Sequence, residues 1–527
     1  MQRVLTPTEM AEADRRTIDS GTPFDVLVER AGRAAGREVL AVLGGAYAKR
    51  AVIICGPGNN GADGLVAARF LRSRGVRCHV SSLTSPLDRS AVTREIQRCD
   101  VLVDAMFGTG FHGALDGDAA WIAEQTLRRS VGLHPFRVVA IDIPSGVHGL
   151  TGETQGIAVS ADRTVTFGAL KPGLLFEPGR GLAGAVTVSQ IGIEIGDGTL
   201  LGLVDEQDVR EWIPQRAAND HKWGLGPVMV IGGSPGMAGA PRLSAASALR
   251  AGSGVVVLYS PDPHGADSPA DSPAELLRLG TSHSAESADS LADSARLGSE
   301  IITRSVPVDA QGGLNTDSAE SLIADAERFS AVLIGPGLGA KAGINAFVKS
   351  LLLGITGPIV LDADGLNALA GDISTLRDRA ESGLGPVIGP VIGPVILTPH
   401  EGEFNRLFGE VGLDRVAGAR RLASKSRATV LLKGPTTVIA EPDGVAYIVN
   451  AGGPWLATAG SGDVLAGIIA ALLASGLSPG QAAAAGAWLH CRASDFAGHT
   501  CLVASDIVSA LPAAWPRFSG TMREQNQ

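Results

Sequence analysis

The sequence predicts an α/β protein organised as two three-layer domains, and three observations carry that prediction. A short apolar run, a Gly-rich turn and an amphipathic segment recur along the chain, as in "AVIICGPGNNGADGLVAARFLRSRG" (51–75) and "AVLIGPGLGAKAGINAFVKSLL" (331–352). This is the βα unit of a doubly wound parallel sheet, whose ligands sit at the carboxyl ends of the strands. Hydrophobic residues make up 45% of the chain and aromatics only 4%, which suits buried parallel strands packed on Ala-rich helices. At roughly 100–200 residues per domain, 527 residues call for at least two cores.

The strands follow in order. In the first half they are expected near 51–55, 76–81, 100–104, 137–142, 163–167 and 186–190. In the second half they are expected near 228–232, 254–259, 331–334, 358–361, 394–397, 429–432, 437–440 and 445–449. Between the halves, "LVDEQDVREWIPQRAANDHKWG" is polar and carries no Gly-rich turn, so the boundary is placed near Trp212, giving domains 1–212 and 213–527. Two stretches have the composition of insertions: "GADSPADSPAE" with its Ser/Asp/Ala-rich continuation to Ser299, expected as solvated loop with some helix, and three tandem "GPVI" copies at 385–396. One copy must serve as the strand before "LTPHEGEF", with the others as loop; the register stays open. The uncharged run Val464 to Leu489 is cut by Ser475, Ser478, Pro479, Gly480 and Gln481, so it is expected as two buried helices and not a membrane span.

Charge and cysteine usage narrow the function classes. Lys and Arg number 44 against 54 Asp and Glu, a net charge of −10, which argues against a general nucleic-acid or anionic-membrane surface. Cys55, Cys78, Cys99, Cys491 and Cys501 form no CxxC pair, and an odd count makes a poor disulfide framework. With charges where a signal peptide needs its apolar core, the N-terminus adds to the expectation of a cytoplasmic, reducing location.

Chemistry concentrates at strand ends. "ICGPGNNGADG" (Ile54 to Gly64) places glycines and asparagines directly after a strand, where backbone can approach a ligand and a helix N-terminus favours an anion. "VLVDAMFGTGFHG" carries Asp104 at a strand end, and "VVAIDIPSGVHG" carries Asp142 with Ser145 close behind. Carboxylates at the ends of strands buried on both faces are commonly held for ligands or cations. A tuned buried carboxylate can donate and accept protons, which makes Asp142 the candidate acid–base group; ligation or turn capping is the other reading of the same residue.

These three motifs, in this order, resemble the epimerase module of the NAD(P)HX repair system, whose pattern is G-P-G-N-N-G-G-D-G, D-x-x-F-G-T-G and D-I-P-S-G; the resemblance covers about residues 1–210. It implies a Rossmann-like domain in which Asn59, Asn60, Gly61, Ala62 and Asp63, the loop Gly108, Thr109, Gly110, Phe111, His112, Gly113 and Ala114, and Asp142 contact a hydrated nicotinamide nucleotide. It further implies a potassium ion held by Asn60, Asp104 and Ser145. Ala62 departs from the family's Gly, a change that strains the chain only if φ is positive there. Lys171 in "FGALKPG" is family-like and could equally be a surface lysine.

In the second half, "AGSGDVLAG" exposes the amides of Gly460 and Gly462 at a helix N-terminus, suited to a phosphate, and sets Asp463 in the first turn. There the carboxylate can take the proton of an attacking alcohol, as a phosphotransferase base must; stabilising its own helix dipole is the alternative role. "AVLIGPGLG", "ILTPHEGEFNRLFG" and "ATVLLKGPTTVIA" accompany it in a fixed order. That set resembles the ribokinase-like superfamily and, within it, the ADP/ATP-dependent NAD(P)HX dehydratases, from about His221 to Ala510. The resemblance implies that Ala240, Gly337, His400 and Asp463 bind the hydrated nucleotide, while Lys433, Gly434, Pro435, Thr436, Thr437 and Gly462 bind ADP or ATP with Mg²⁺. Ser461 stands for the more usual Thr and keeps the hydroxyl.

The combined expectation is a homo-oligomeric repair enzyme for NADHX and NADPHX. One half would interconvert R and S hydrates; the other would phosphorylate the S hydrate at the C6 hydroxyl and expel phosphate. A ribokinase-like vitamin or sugar kinase with a nucleotide-binding regulatory first domain is the alternative, and Ala62 admits a first domain that binds without catalysing.

Overall fold

The structure, a computed structural model, describes residues 1–527 apart from 129–134, 197, 199, 216–221, 235, 262–299, 310–313, 383–391 and 517–527. The Ser/Asp/Ala-rich insertion to Ser299, His221 and the first two GPVI copies up to Val391 lie outside the described residues. The chain divides into two compact units, Gln2–Gly202 and Leu203–Gln527.

The first unit carries helices α1 (Pro7–Asp19) and α2 (Phe24–Leu43), then strand β1 (Arg50–Cys55), α3 (Asn59–Ser73), β2 (Arg77–Ser82), α4 (Arg89–Ile96), β3 (Val101–Ala105), α5 (Gly117–Leu127), β4 (Arg137–Ile141), β5 (Arg163–Phe167), α6 (Gly179–Ala183) and β6 (Ala185–Ser189). Its six-stranded sheet has the order β2-β1-β3-β4-β5-β6, every pair parallel. The three layers follow from alternation along each strand. Ala51, Ile53, Val101, Val103, Val139 and Ile141 face a core shared with α2 and α3. Their neighbours Val52, Ile54, Leu102, Val138 and Ala140 face one shared with α4 and α5. The Gly-rich turn after β1 fits against β3 because a Cβ on Gly56 would stand 1.7 Å from the Met106 carbonyl oxygen. A side chain there would push the two strand ends apart.

The second unit begins with α7 (Glu206–Trp212), started by a capping box between Asp205 and Asp208. Val209 and Ile213 join its core and Trp212 meets Tyr447 edge-on at 6.0 Å. The units therefore divide upstream of Trp212, and within the polar segment Glu206–Trp212 is a short helix with one apolar face. There follow β7 (Val228–Ile231), α8 (Gly239–Arg250), β8 (Val256–Pro261), β9 (Ile302–Val306), α9 (Thr316–Ala326), β10 (Ala331–Ile334), α10 (Ile344–Gly354), β11 (Ile359–Leu361), α11 (Asp364–Asn367), α12 (Ser374–Ser382), β12 (Val395–Leu397), α13 (Glu401–Phe408), α14 (Arg415–Ser426), β13 (Thr429–Leu432), β14 (Thr437–Ala440), β15 (Ala446–Val449), α15 (Ser461–Ala474), α16 (Pro479–Ala497) and α17 (Ala504–Ala514).

These strands run in the order β15-β14-β13-β12-β11-β10-β7-β8-β9, parallel except for the antiparallel β13–β14–β15 run. One sheet face packs on α8, α15, α16 and α17 in a single apolar core. The uncharged run resolves as expected into two helices, α15 and α16, with the Ser478 hydroxyl capping the second at Gln481. Every residue from Val464 to Ala474 is buried, and each large aliphatic side chain among them is worth about 1.5–3 kcal/mol on burial. Among the described residues no helix is long and apolar enough to cross a membrane.

The third GPVI copy supplies the strand, with Val395 and Ile396 entering β12. Buried Arg379 of α12 secures it: its guanidinium donates to the carbonyls of Leu352, Ile355, Gly357 and Gly393. Three strands were not foreseen. Gln2–Arg3 and Leu201–Leu203 are too short to show a period, and Ile302–Val306 is an edge strand whose first four residues are exposed.

Candidate active sites

In the first unit a cavity of about 770 Å³ opens at the carboxyl ends of the strands, lined by the turn after β1, the loop after β3, Asp142 after β4, Lys171 after β5, and residues of α1 and α2. Asp142 leaves its strand with φ +68°, a left-handed conformation costly for a non-glycine residue. Its carboxylate accepts from Lys171 Nζ at 2.9 Å, the Thr109 amide at 3.2 Å and Thr166 Oγ1 at 3.2 Å. Lys171 is 1% exposed and also donates to Thr166 Oγ1 and the Phe167 carbonyl. It is no surface lysine but a buried cation. Asp104 and Ser145 bond each other through both the Ser145 hydroxyl (2.7 Å) and amide (2.8 Å), behind the Phe107 backbone that Ser145 also binds. Asn60 is buried, and among the described residues its side-chain oxygen and nitrogen have no partner.

The carboxylates here are pushed apart in proton affinity. Burial would raise Asp142, but the Lys171 charge and the hydrogen bonds from Lys171, Thr109 and Thr166 outweigh it and hold the carboxyl below its ordinary value. Asp63 is pushed up to about 8 by burial, then by the charges of Asp142 and Asp14. Asp104 is raised to about 6 by burial, with the Ser145 and Met106 hydrogen bonds opposing.

In the second unit the site lies where β10, β11, β12 and β13 end. Asp362, 1% exposed, accepts from Lys433 Nζ and Thr398 Oγ1, each at 2.7 Å on Oδ1. Lys433 Nζ also stands 3.9 Å from Glu403 Oε2. His400 caps α13: its Nδ1 accepts the amides of Gly402 and Glu403, and Glu403 Oε2 accepts the His400 amide at 2.8 Å. An accepting Nδ1 leaves the proton of the neutral ring on Nε2, 3.4 Å from Glu403 Oε1. Asp463 sits in the first turn of α15, behind Gly460 at φ +86°. Its carbonyl accepts from Ser244 Oγ at 2.9 Å, and the same hydroxyl reaches the Ala240 carbonyl at 3.3 Å, which ties Ala240 to the Asp463 turn. A Cβ on Gly337 would lie 3.4 Å from that of Ala240, and one on Gly462 would lie 3.4 Å from Lys433 Nζ. Lys433 to Thr437 span the β13–β14 turn, and Arg415 donates to the Lys433 carbonyl at 3.0 Å.

Burial pushes Asp463 up to about 7, with Asp362 adding to the rise, Lys433 opposing it, and Asp364 and Glu403 adding again. Burial alone would lower Lys433, but Asp362 and Glu403 outweigh it and raise the ammonium. His490, beneath the Ser461 turn, is pushed down to about 4, chiefly by burial.

Most of the expected residues converge. Asn59, Asn60, Asp63, Gly108 to His112 and Asp142 line the first cavity, whereas Gly61, Ala62, Gly113 and Ala114 do not. Ala62 lies inside α3 and is absent from the positive-φ residues, so its methyl group strains nothing. Sequence reading missed Asp14, which lines the cavity from α1, and missed Asp362, Asp364 and Glu403. Asp362 and Asp364 carried a signal: "IVLDADG" is an apolar strand ending in carboxylates, the same rule that singled out Asp104 and Asp142.

Fold and sites together define a two-domain α/β protein with a carboxylate–lysine pair at the strand ends of each sheet. Residues 228–512 match the NAD(P)H-hydrate dehydratase family, and residues 24–97 and 83–173 match the YjeF-related protein N-terminus family. The chain is 36% identical over 550 aligned residues to the bifunctional NAD(P)H-hydrate repair enzyme Nnr of Moorella thermoacetica, covering 97% of this chain and 96% of that one. It is 34% identical to the enzyme of the same name from Salinibacter ruber, over 99% and 98% of the two chains. Among solved structures, the ADP/ATP-dependent NAD(P)H-hydrate dehydratase of Bacillus subtilis, co-crystallised with ATP and Mg²⁺, is 27% identical, with a TM-score of 0.44 over 60% of this chain and 97% of that one. The chain belongs to the bifunctional NAD(P)H-hydrate repair enzyme family.

Proposed function

We propose that this chain repairs hydrated nicotinamide dinucleotides with two activities: the first unit interconverts the R and S hydrates, and the second dehydrates the S form at the expense of the phosphoanhydride of ADP or ATP. The observation that carries the reading is the paired sites themselves. Each has a Gly-rich turn for a phosphorylated ligand beside one carboxylate paired with a lysine and another whose burial favours its proton.

In the first unit Asp142 acts as the acid–base group on the C6 hydroxyl, with Lys171 and the Thr109 amide fixing its carboxylate. Asn59, Asn60, Asp63 and the loop Gly108 to His112 bind the nucleotide, with Gly61, Ala62, Gly113 and Ala114 holding the backbone that presents them. Asn60, Asp104 and Ser145 would hold a potassium ion; the orphaned Asn60 amide oxygen is a donor suited to such a hard cation. Such an ion would supply a fixed positive charge at that end of the sheet.

In the second unit Asp463 takes the proton of the C6 hydroxyl as it attacks the terminal phosphate, and the ring nitrogen then expels phosphate. Ala240, Gly337 and His400 orient the hydrated ring, while Lys433 to Thr437 and the Gly462 amide bind the adenine nucleotide. Asp362 and Asp364 are already engaged by Lys433, Thr398 and the Gly339 amide, so a Mg²⁺ ion fits best as one carried on the nucleotide phosphates, where it supplies charge neutralisation. The test follows NADH recovery from mixed R and S hydrates with ADP and with ATP. Complete recovery with free phosphate is expected. Recovery of the S fraction alone would remove the epimerase half, and a stable phosphorylated product would replace the dehydratase by a kinase.

A further inference from the structure

We propose that Asp362 is a positioning residue for the dehydration step: by seating Lys433 it fixes where the lysine charge stands relative to Asp463. This rests on the dehydratase reading above and goes beyond it.

The geometry is specific. Asp362 Oδ1 takes both the Lys433 ammonium and the Thr398 hydroxyl at 2.7 Å. Thr398 follows β12, the strand lying between those that carry Asp362 and Lys433, so the pair reaches across one strand and its hydroxyl fills the gap. The lysine head lies against the turn that carries Asp463, 3.4 Å from where a Cβ of Gly462 would be. The backbone is bent to allow this. Ala363 adopts φ +48° and ψ −119°, a conformation that L residues avoid. On its far side Asp364 Oδ2 accepts the Gly339 amide at 2.8 Å. The strained alanine thus lets one short segment brace two loops: Asp362 holds the β13–β14 turn, and Asp364 holds the loop after β10.

The charged and titratable groups facing Asp463 are Asp362 from the end of β11, Asp364 from α11, Glu403 from α13 and Lys433 from the end of β13, with His490 beneath the same turn on α16. Asp362 acts on Asp463 in two ways that share one sign. Its own charge disfavours a second carboxylate nearby, and it occupies the lysine that would otherwise pair with Asp463. Removing the Asp362 charge therefore lowers the proton affinity of Asp463. The base then stays ionised to lower pH, but it is weaker and faces a displaced lysine.

The experiment uses the full chain and the Asp362→Asn variant, with kcat and nucleotide KM for S-hydrate dehydration measured across pH 5–9. Equilibration of R and S hydrates by the same polypeptide serves as a control, since no residue of that site is touched. Positioning predicts that the acid limb of kcat moves down by about one pH unit and that kcat near neutral pH falls by about tenfold, with equilibration unchanged. A raised nucleotide KM with an unmoved acid limb would make Asp362 a nucleotide-binding support only and overturn the proposal, as would an unchanged profile. Should Asp362→Asn not fold, Asp362→Glu decides: it keeps the charge but displaces it, so a kcat within twofold of wild type overturns the proposal and a tenfold loss at constant nucleotide KM supports it. Failure of the dehydratase reading looks different, because the wild-type chain would then recover no NADH from the S hydrate with either nucleotide.

Discussion

Replacing Lys171 by Met tests the first site where its electrostatics are most exposed to failure. The ammonium is 1% exposed and donates to Asp142 at 2.9 Å, to Thr166 at 2.7 Å and to the Phe167 carbonyl at 3.0 Å. Methionine fills a similar volume but leaves Asp142 a buried carboxylate with no cation. Removing one partner of a buried pair costs about 3–5 kcal/mol, and a proton is the cheapest remedy: at about 1.4 kcal/mol per pH unit, that penalty would lift Asp142 by two units or more. In the wild type Lys171 is the largest influence lowering Asp142; without it, burial acts upward against only the Thr109 and Thr166 hydrogen bonds. Asp142 would then titrate closer to neutral pH and, with no cation to fix its carboxylate, would be poorly placed to take a proton from the C6 hydroxyl. A loss of about 3 kcal/mol of transition-state stabilisation corresponds to a rate lower by about 100-fold. The assay resolves R and S hydrates chromatographically and follows their equilibration by the full chain at pH 6–9, with S-hydrate dehydration by the same molecules as an internal control. Equilibration within threefold of wild type, in a protein that still dehydrates normally, would refute the claim that Lys171 keeps Asp142 ionised for catalysis.

Three further outcomes follow from the same structure. Asp463→Asn should abolish dehydration while nucleotide affinity, read by calorimetry, stays within about threefold, since the proposed reading assigns the phosphate to amides and Lys433; substantial turnover would remove Asp463 as the base. Gly467→Ala places a Cβ 2.0 Å from the Ser244 carbonyl oxygen and 2.1 Å from Ser247 Oγ, so α15 and α8 must separate, at a cost of about 1–3 kcal/mol visible as a lowered melting temperature of the second unit. Asp63, raised to about 8, titrates near 4 when unfolded, so between those values the folded state binds more protons. Stability of the first unit should therefore fall as pH rises from about 4 to about 8 and level off above; Asp63→Asn should flatten that slope in chemical denaturation.

The legible part of this fold was whatever repeats locally. Apolar runs such as "AVIIC" and "AVLIG" announced their strands because parallel strands are buried on both faces, and the break at Ser478–Gln481 separated α15 from α16. The Leu203–Trp212 segment misled because seven helical residues with a single apolar face look polar in sequence, and the core that Val209 and Trp212 join is built from residues distant along the chain, Tyr447 among them. The sites divided in the same way. Glycine turns, the strand-end acid Asp142 and the helix-start acid Asp463 stood out from their neighbours, whereas Lys171 was ambiguous because nothing local tells a buried lysine from a solvated one. Asp362 went unnoticed beside louder motifs, although its partner Lys433 was singled out. A pair joined across an intervening strand leaves no spacing for a sequence to show.

The two sites solve one problem with the same parts. A sheet covered on both faces desolvates any carboxylate at its strand ends, so an ionised one needs a cation close by. In the first unit the lysine follows the adjacent strand, β5 beside β4; in the second it reaches past β12 with Thr398 between. Beside each pair a further carboxylate, Asp63 or Asp463, is raised toward neutrality mainly by burial. Environments that drive neighbouring acids apart in this way sort them into one that stays charged and one that exchanges its proton at working pH. On the proposed reading, the exchanging acid of the second unit is Asp463 at the phosphate turn, where a hydroxyl must lose its proton. In the first unit Asp142, held low by Lys171, would be the acceptor, and Asp63, on the helix that follows the glycine turn and raised by burial, stands in the same cavity with its proton retained. A ring that must open or lose water and then close again would need a donor and an acceptor at once, and these two carboxyls are placed to be tested for those parts.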